Sequence, residues 1–214
     1  MQLFGGLFFV TTNMFMGNFF NSVLVFQSER PVFLREQANH MYRVFPYYIS
    51  KLTADTPMLL ITPMISTLII YWTMGLARTV EQFFVCYIIQ TLCALGAASF
   101  GYFLSSMFDS EATATSIAPL FIMPMLLFGG LFTNNVESPV YLRWIQYISP
   151  IRYCAEGLMT NEMKYDRYDI EESLMSFLGY DIGIMNVIGI FVALIVVTRI
   201  FAFISFKMMV KKFQ

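Results

Sequence analysis

Residues 183–206 read GIMNVIGIFVALIVVTRIFAFISF, a run of 24 residues with a single charge, Arg199. A helix rises about 1.5 Å per residue, so about 20 apolar residues cross the roughly 30 Å of hydrocarbon in a bilayer. In lipid the backbone has no water to bond, and a helix satisfies its own amides and carbonyls. Working outward from this run, four more stretches of the same character lie at about 3–26, 57–77, 83–108 and 113–133. The pattern predicts an all-α membrane protein, a polytopic helical bundle of five spans. Composition agrees: 57% of the 214 residues are hydrophobic and 13% charged, with a mean hydropathy of +0.64, against about 25% charged in an ordinary soluble domain.

The net charge of -1 says little about partners, and a nucleic-acid partner is not expected; the placement of the 13 Lys and Arg says more. Positive residues in short loops are retained on the cytoplasmic side. Segment 27–56 holds Arg30, Arg35, Arg43 and Lys51, and the tail holds Lys207, Lys211 and Lys212, so both are read as cytoplasmic. Segment 134–182 has four basic residues diluted by Glu137, Glu156, Glu162, Asp166, Asp169, Glu171, Glu172 and Asp181 and is read as external, as is the connection around Arg78. Five spans that end inside must begin outside, which places Met1 outside, two residues before the first apolar run. Two readings follow: a further span upstream, or an external N-terminus. No charged leader precedes Leu3.

Within 27–56, Leu34, Ala38, Met41, Tyr42 and Phe45 recur at helical spacing, with Arg35, Glu36, Gln37, Asn39, His40 and Arg43 largely opposite. This predicts an amphipathic helix along the interface, ended by Pro46, with Pro57 opening the next span. Such a helix either rests on the bilayer or docks a cytosolic domain. In the external segment, Tyr141, Leu142, Trp144, Ile145, Tyr147 and Ile148 are too short and broken a run to span. They predict helical pieces dipping into the outer interface, tolerable only if protein or water covers their backbone.

Polar residues inside spans are costly and mark either packing or a pathway. The first run carries Thr11, Thr12, Asn13, Asn18 and Asn21, the third Gln90, and the last Asn186 and Arg199. For Asn13, helix packing and substrate contact both stand. Cys86, Cys93 and Cys154 are odd in number; the first two read as small packing residues, and Cys154 as a buried thiol or an intersubunit partner. Intramembrane enzymology has no players, since His40 is the one histidine and no nucleophile, paired acid or metal-spaced cluster accompanies it. No G-x-x-x-x-G-K-[ST] phosphate loop occurs, so the chain by itself is not expected to hydrolyse ATP.

The run Leu7-Phe8-Phe9-Val10-Thr11-Thr12-Asn13, followed by Phe26-Gln27-Ser28-Glu29-Arg30-Pro31-Val32-Phe33-Leu34-Arg35-Glu36, resembles the second membrane helix and first intracellular loop of the G-type ABC half-transporters (White/eye-pigment, multidrug and sterol). Tyr42, Tyr47, Lys51, Asp55 and Pro57 match that family's Y-x4-Y-x3-K-x3-D-x-P pattern. Gly129-Gly130-Leu131-Phe132, Asn134, Pro139, Trp144, Tyr147, Ser149-Pro150, Arg152-Tyr153 and Asn161-Glu162 look like its fifth helix and re-entrant external loop.

The resemblance implies an ABC-2 (type V exporter-like) transmembrane domain with a re-entrant outer loop, covering helices two to six. It places a first membrane helix and an ATP-binding domain upstream. It further implies an ATP-driven exporter of lipids, sterols or other amphipathic molecules. Its cofactors, ATP and Mg, would be bound by the nucleotide-binding domain and not by this chain. Its partners would be the bilayer, that nucleotide-binding domain in cis or in trans, and a second half-transporter as a homo- or heterodimer, in the plasma membrane or an internal one. By position it assigns Phe9, Asn13, Met16, Met123 and Leu126 to a substrate cavity between the second and fifth family helices. Leu131 and Phe132 would form the plug above it, and Glu29, Arg35, Glu36 and Arg43 would couple to the nucleotide domain. Met16 stands where multidrug relatives have a stacking phenylalanine, and no cysteine lies between 161 and 182, so neither an aromatic drug sandwich nor a loop disulfide is implied. The alternative is a stand-alone channel or structural subunit without ATP coupling.

Overall fold

A computed structural model describes residues 2–76, 79–129, 143–163 and 183–213. Among the described residues there are seven helices and no strand: α1 (Gln2–Ala38), α2 (Val44–Met74), α3 (Val80–Met107), α4 (Glu111–Leu127), α5 (Arg143–Ile148), α6 (Pro150–Met163) and α7 (Ile184–Phe213). The all-α polytopic bundle read from the hydropathy is what the chain adopts. Among the described residues, three helices are long and apolar enough to cross a membrane, within Val44–Met74, Val80–Met107 and Ile184–Lys211. The other two apolar runs behave differently. α1 is 37 residues long but diluted by amides and hydroxyls, and α4 is apolar but has only 17 residues, about 25 Å of rise.

In the N-terminal half of α1, four polar side chains bond to the helix's own carbonyls. Thr11 and Thr12 donate to the carbonyls of Leu7 and Phe8 at 2.9 Å, Asn13 to that of Phe9 at 2.9 Å, and Asn18 to that of Met14 at 2.8 Å. Side-chain back-bonding of this kind lets a polar residue sit in hydrocarbon without an orphaned donor.

The amphipathic helix expected across Leu34–Phe45 is not one helix. α1 runs through Pro31 to Ala38, and the chain then turns at His40, whose φ of 52° is left-handed. His40 donates its amide to the Gln37 carbonyl and Met41 to that of Glu36, the paired bonds of a Schellman stop. The Gln37 amide bonds the Tyr42 carbonyl at 2.9 Å and holds the turn. Leu34 and Ala38 therefore belong to α1, Met41 and Tyr42 to the turn, and Phe45 to α2. Pro46, expected to break a helix, lies in the first turn of α2, where amides have no intrahelical acceptor and a missing N–H costs nothing. Pro57, expected to open a span, lies inside that helix. Gly75, with φ 62°, ends it.

α3 is the axle of the bundle, packed by α1, α2, α6 and α7. Its inward face is rich in small residues, including Ala94, Ala97, Ala98 and Gly101, which permit close helix approach. α6 is buried along almost its whole length among α1, α3 and α7. The run expected to need cover falls in α5, where Trp144, Tyr147 and Ile148 are exposed and Gln146 is buried; Tyr141 and Leu142 lie outside the described residues. A second cluster gathers Phe26 and Phe33 of α1, Tyr47 and Tyr48 of α2, Tyr102 of α3 and Phe206 of α7. Ring centroids there lie 4.3 Å apart for Phe33–Tyr47 and 4.9 Å for Phe26–Phe206.

Candidate functional site

Polar residues of α1 and α2 face each other across a cleft of about 360 Å³. On α1 the lining is Asn13, Met14, Gly17, Asn18, Asn21, Ser22 and Val25, spaced by threes and fours so that one stripe of the helix supplies it. Asp55, Met58, Leu59 and Thr62 of α2 form the opposite wall by the same spacing, and Tyr102 of α3 closes the back. Lys51, one turn before Asp55 and only 11% exposed, binds Glu29 of α1 at 2.8 Å and Asp55 at 3.5 Å. The Tyr102 hydroxyl donates to Asp55. Three helices are thus joined through one ammonium, two carboxylates and a phenol, and in a poorly hydrated setting each charge keeps a partner.

A second linkage starts at the next residue of α1 after Glu29. Arg30, 4% exposed, donates to the Phe108 carbonyl and to Asp109, both at 2.5 Å, and Gln27 donates to the carbonyls of Ser105 at 2.8 Å and Phe108 at 3.0 Å. The last carbonyls of a helix lack intrahelical donors and carry its negative dipole end. A guanidinium and an amide from α1 therefore cap α3 and fix the α3–α4 turn. In the α1–α2 turn the Tyr42 hydroxyl donates to Glu36. Burial, then that carboxylate, push the phenol well above its ordinary range, so it stays protonated and remains the donor.

The positions assigned by resemblance distribute as follows. Phe9, 68% exposed, and Asn13 lie on the outward side of α1, with Asn13 also lining the cleft. Met16 and Leu126 are half-buried against the main core, whereas Met123 on α4 is 60% exposed. The cleft that holds Asn13 takes its walls from α1, α2 and α3, and none from α4. Leu131 and Phe132 lie outside the described residues. Of the coupling set, Arg35 and Arg43 are exposed, while Glu29 and Glu36 are engaged inside the chain by Lys51 and Tyr42. Lys51, Asp55 and Tyr102 carried no role in the sequence reading. Lys51 and Asp55 at i,i+4 were a visible signal, but Tyr102 lies 47 residues from its partner and left none.

Comparison with known proteins agrees with this architecture. The family description "ABC-2 type transporter" matches residues 1–163. The chain is similar to Protein white of Drosophila melanogaster, 42% identical over 162 residues that cover 76% of this chain and 24% of the relative. It is also similar to the broad substrate specificity ATP-binding cassette transporter ABCG2 of Rattus norvegicus, 33% identical over 159 residues, 74% of this chain and 24% of that protein. Against ABC transporter G family member 22 of Arabidopsis thaliana the identity is 29% over 207 residues, 96% of this chain and 26% of the relative. The chain spans about a quarter of the length of the curated relatives it matches. It is a membrane protein of the ABC-2 type transporter family, in the branch of White and the G-type transporters.

Proposed function

We propose that the chain forms the membrane pathway of an ATP-driven exporter of lipids, sterols or other amphipathic small molecules. The observation that carries this reading is the polar cleft inside an otherwise apolar bundle, joined by Lys51, Glu29 and Arg30 to the ends of α1 and α3. A nucleotide-binding domain supplies ATP and Mg, and a second half-transporter completes the pathway. Phe9, Asn13, Met16, Met123 and Leu126 border the passage, and Leu131 with Phe132 separates it from the outside. Arg35 and Arg43, exposed beside the α1–α2 turn, are the cations a nucleotide domain can reach, while Glu29 and Glu36 hold the turn to the bundle. A push on that turn reaches the cleft because α1 is one helix from Gln2 to Ala38. The plasma membrane is the proposed site, with the C-terminus inside.

The test is export of a fluorescent phospholipid from vesicles holding the complete transporter. Export is expected to require ATP, and Arg35→Ala is expected to lower substrate-stimulated ATP hydrolysis at unchanged protein level. Movement of the lipid at the same rate without ATP would make the chain a channel or scramblase and overturn the reading.

A further inference from the structure

The cleft between α1 and α2 has a chemical bias beyond being polar. The Thr62 hydroxyl has given its proton to the Met58 carbonyl at 2.9 Å, and the Tyr102 hydroxyl has given its own to Asp55. Both keep only lone pairs for a ligand. Asn18 commits its amide nitrogen to the Met14 carbonyl at 2.8 Å and the Met14 sulfur at 3.2 Å, and Asn13 commits one of its two amide hydrogens to the Phe9 carbonyl at 2.9 Å; both keep the carbonyl oxygen as an acceptor. Asn21 lines the cleft and is exposed, with its amide uncommitted among the described residues. An ionised Asp55 only accepts. Its ammonium partner, Lys51, lies closer to Glu29, at 2.8 Å, than to Asp55, at 3.5 Å, so one cation serves two carboxylates. Of the other cations, Arg30 is held by Phe108 and Asp109, and Arg199 donates to Ser99 at 3.2 Å, close enough to Tyr102 for its charge to act on that ring's hydroxyl. Neither lines the cleft.

A lining in which acceptor lone pairs outnumber free donors, with the Asp55 carboxylate in its wall, favours a ligand that brings donors and positive charge. We propose that this cleft binds the protonated amine end of an amphipathic molecule, with Asp55 as counter-ion and Asn21 and Asn13 as acceptors. Met14, Val25, Met58 and Leu59 receive the adjoining hydrocarbon. A neutral alcohol of the same chain length gains the hydrogen bonds but not the ion pair, and a carboxylate meets like charge in a medium that screens it poorly. That the amine is cargo rests on the transport reading; that it binds does not.

The experiment therefore measures binding without nucleotide. The native complex containing this chain is placed in phosphatidylcholine nanodiscs and photolabelled with dodecylamine bearing a diazirine on its chain. The labelled peptides are read by mass spectrometry. Saturable labelling of α1 and α2 is expected, competed by dodecylamine and at least tenfold more weakly by dodecanol or dodecanoate. Asp55→Asn is expected to weaken competition by about tenfold, the usual size of a charge-assisted bond. Asp55 also holds Lys51 and Tyr102, so the decisive variants are Asn21→Asp, expected to tighten binding, and Asn21→Leu, expected to weaken it about threefold. Equal competition by amine and alcohol, or Asn21 variants that leave amine affinity unchanged, would overturn the site. Specific labelling with no ATP-driven movement of the amine would leave the site standing and remove its role in transport.

Discussion

α1 presents two different faces to its neighbours. Toward α3 it is in backbone contact: a Cβ built on Gly101 would lie 2.8 Å from the Phe19 carbonyl oxygen and from the Ser22 Cβ. Phe15, Phe19, Val23, Ala97 and Phe100 are buried there, and Ser105 donates to the Val23 carbonyl at 3.2 Å. Toward α2 the same helix borders a cleft of about 360 Å³, and a Cβ on Gly17 would meet nothing within 4 Å. One face is buried and close-packed against the small residues of α3; the other is polar and open. α1 and α3 therefore behave as one rigid body, and the α1–α2 seam is the place where a ligand can enter or helices can shift without breaking a core.

The most direct way to break this contrast is to fill the closed face. Gly101→Leu forces a branched side chain against backbone that cannot withdraw, and overpacking of that kind costs about 3 kcal/mol. The expected result is a large fall in the thermal midpoint of the detergent-solubilised transporter, or loss of folded protein. An unchanged midpoint would mean that α1 and α3 are not tightly joined.

A smaller effect is expected at the Phe108 end of the same pair. Arg30→Gln removes charge-assisted bonds to the α3 terminus and to Asp109, worth about 2 kcal/mol for a buried guanidinium. Gln27 still caps Ser105 and Phe108, so the helix end is weakened and not abandoned. Hydrogen exchange at the α3–α4 turn should rise while the amides of α6 stay protected. Exchange spread evenly over the bundle would show that Arg30 supports the whole fold and not this junction.

How far these features could be read in the sequence depended on the range of the interaction. The α7 stretch and the apolar face of α3 announce themselves by composition, because a helix buries or exposes its own neighbours. The burial of α6 left no local signal, because the helices that cover it, α1, α3 and α7, are distant in sequence. The stop at His40 was hidden, since a left-handed C-cap is ordinarily a glycine and here is not. Proline misled twice, at Pro46 and Pro57, because its effect depends on whether it falls in the first turn, which the misplaced boundary obscured. For the site, Lys51 and Asp55 were legible as a helical pair. Glu29–Lys51 and Arg30–Asp109 join residues 22 and 79 apart, and no local period connects them. The carried-over positions Leu131 and Phe132 fall outside the described residues.

The smallest effect is the most discriminating, because the two faces of α1 call for opposite signs from the same substitution. Adding a methyl to glycine inside a helix reduces the freedom of the unfolded chain and favours folding by about 0.5–1 kcal/mol where space allows. Gly17 has that space, so Gly17→Ala should raise the thermal midpoint slightly. Gly101 lacks it, and because the obstruction is backbone, Gly101→Ala should lower the midpoint. If Gly17→Ala also lowers it in the complete transporter, the seam is packed by another chain or helix in the assembly. The feature between α1 and α2 would then be an interface and not a ligand cleft, and the amine photolabel would fail to enter it.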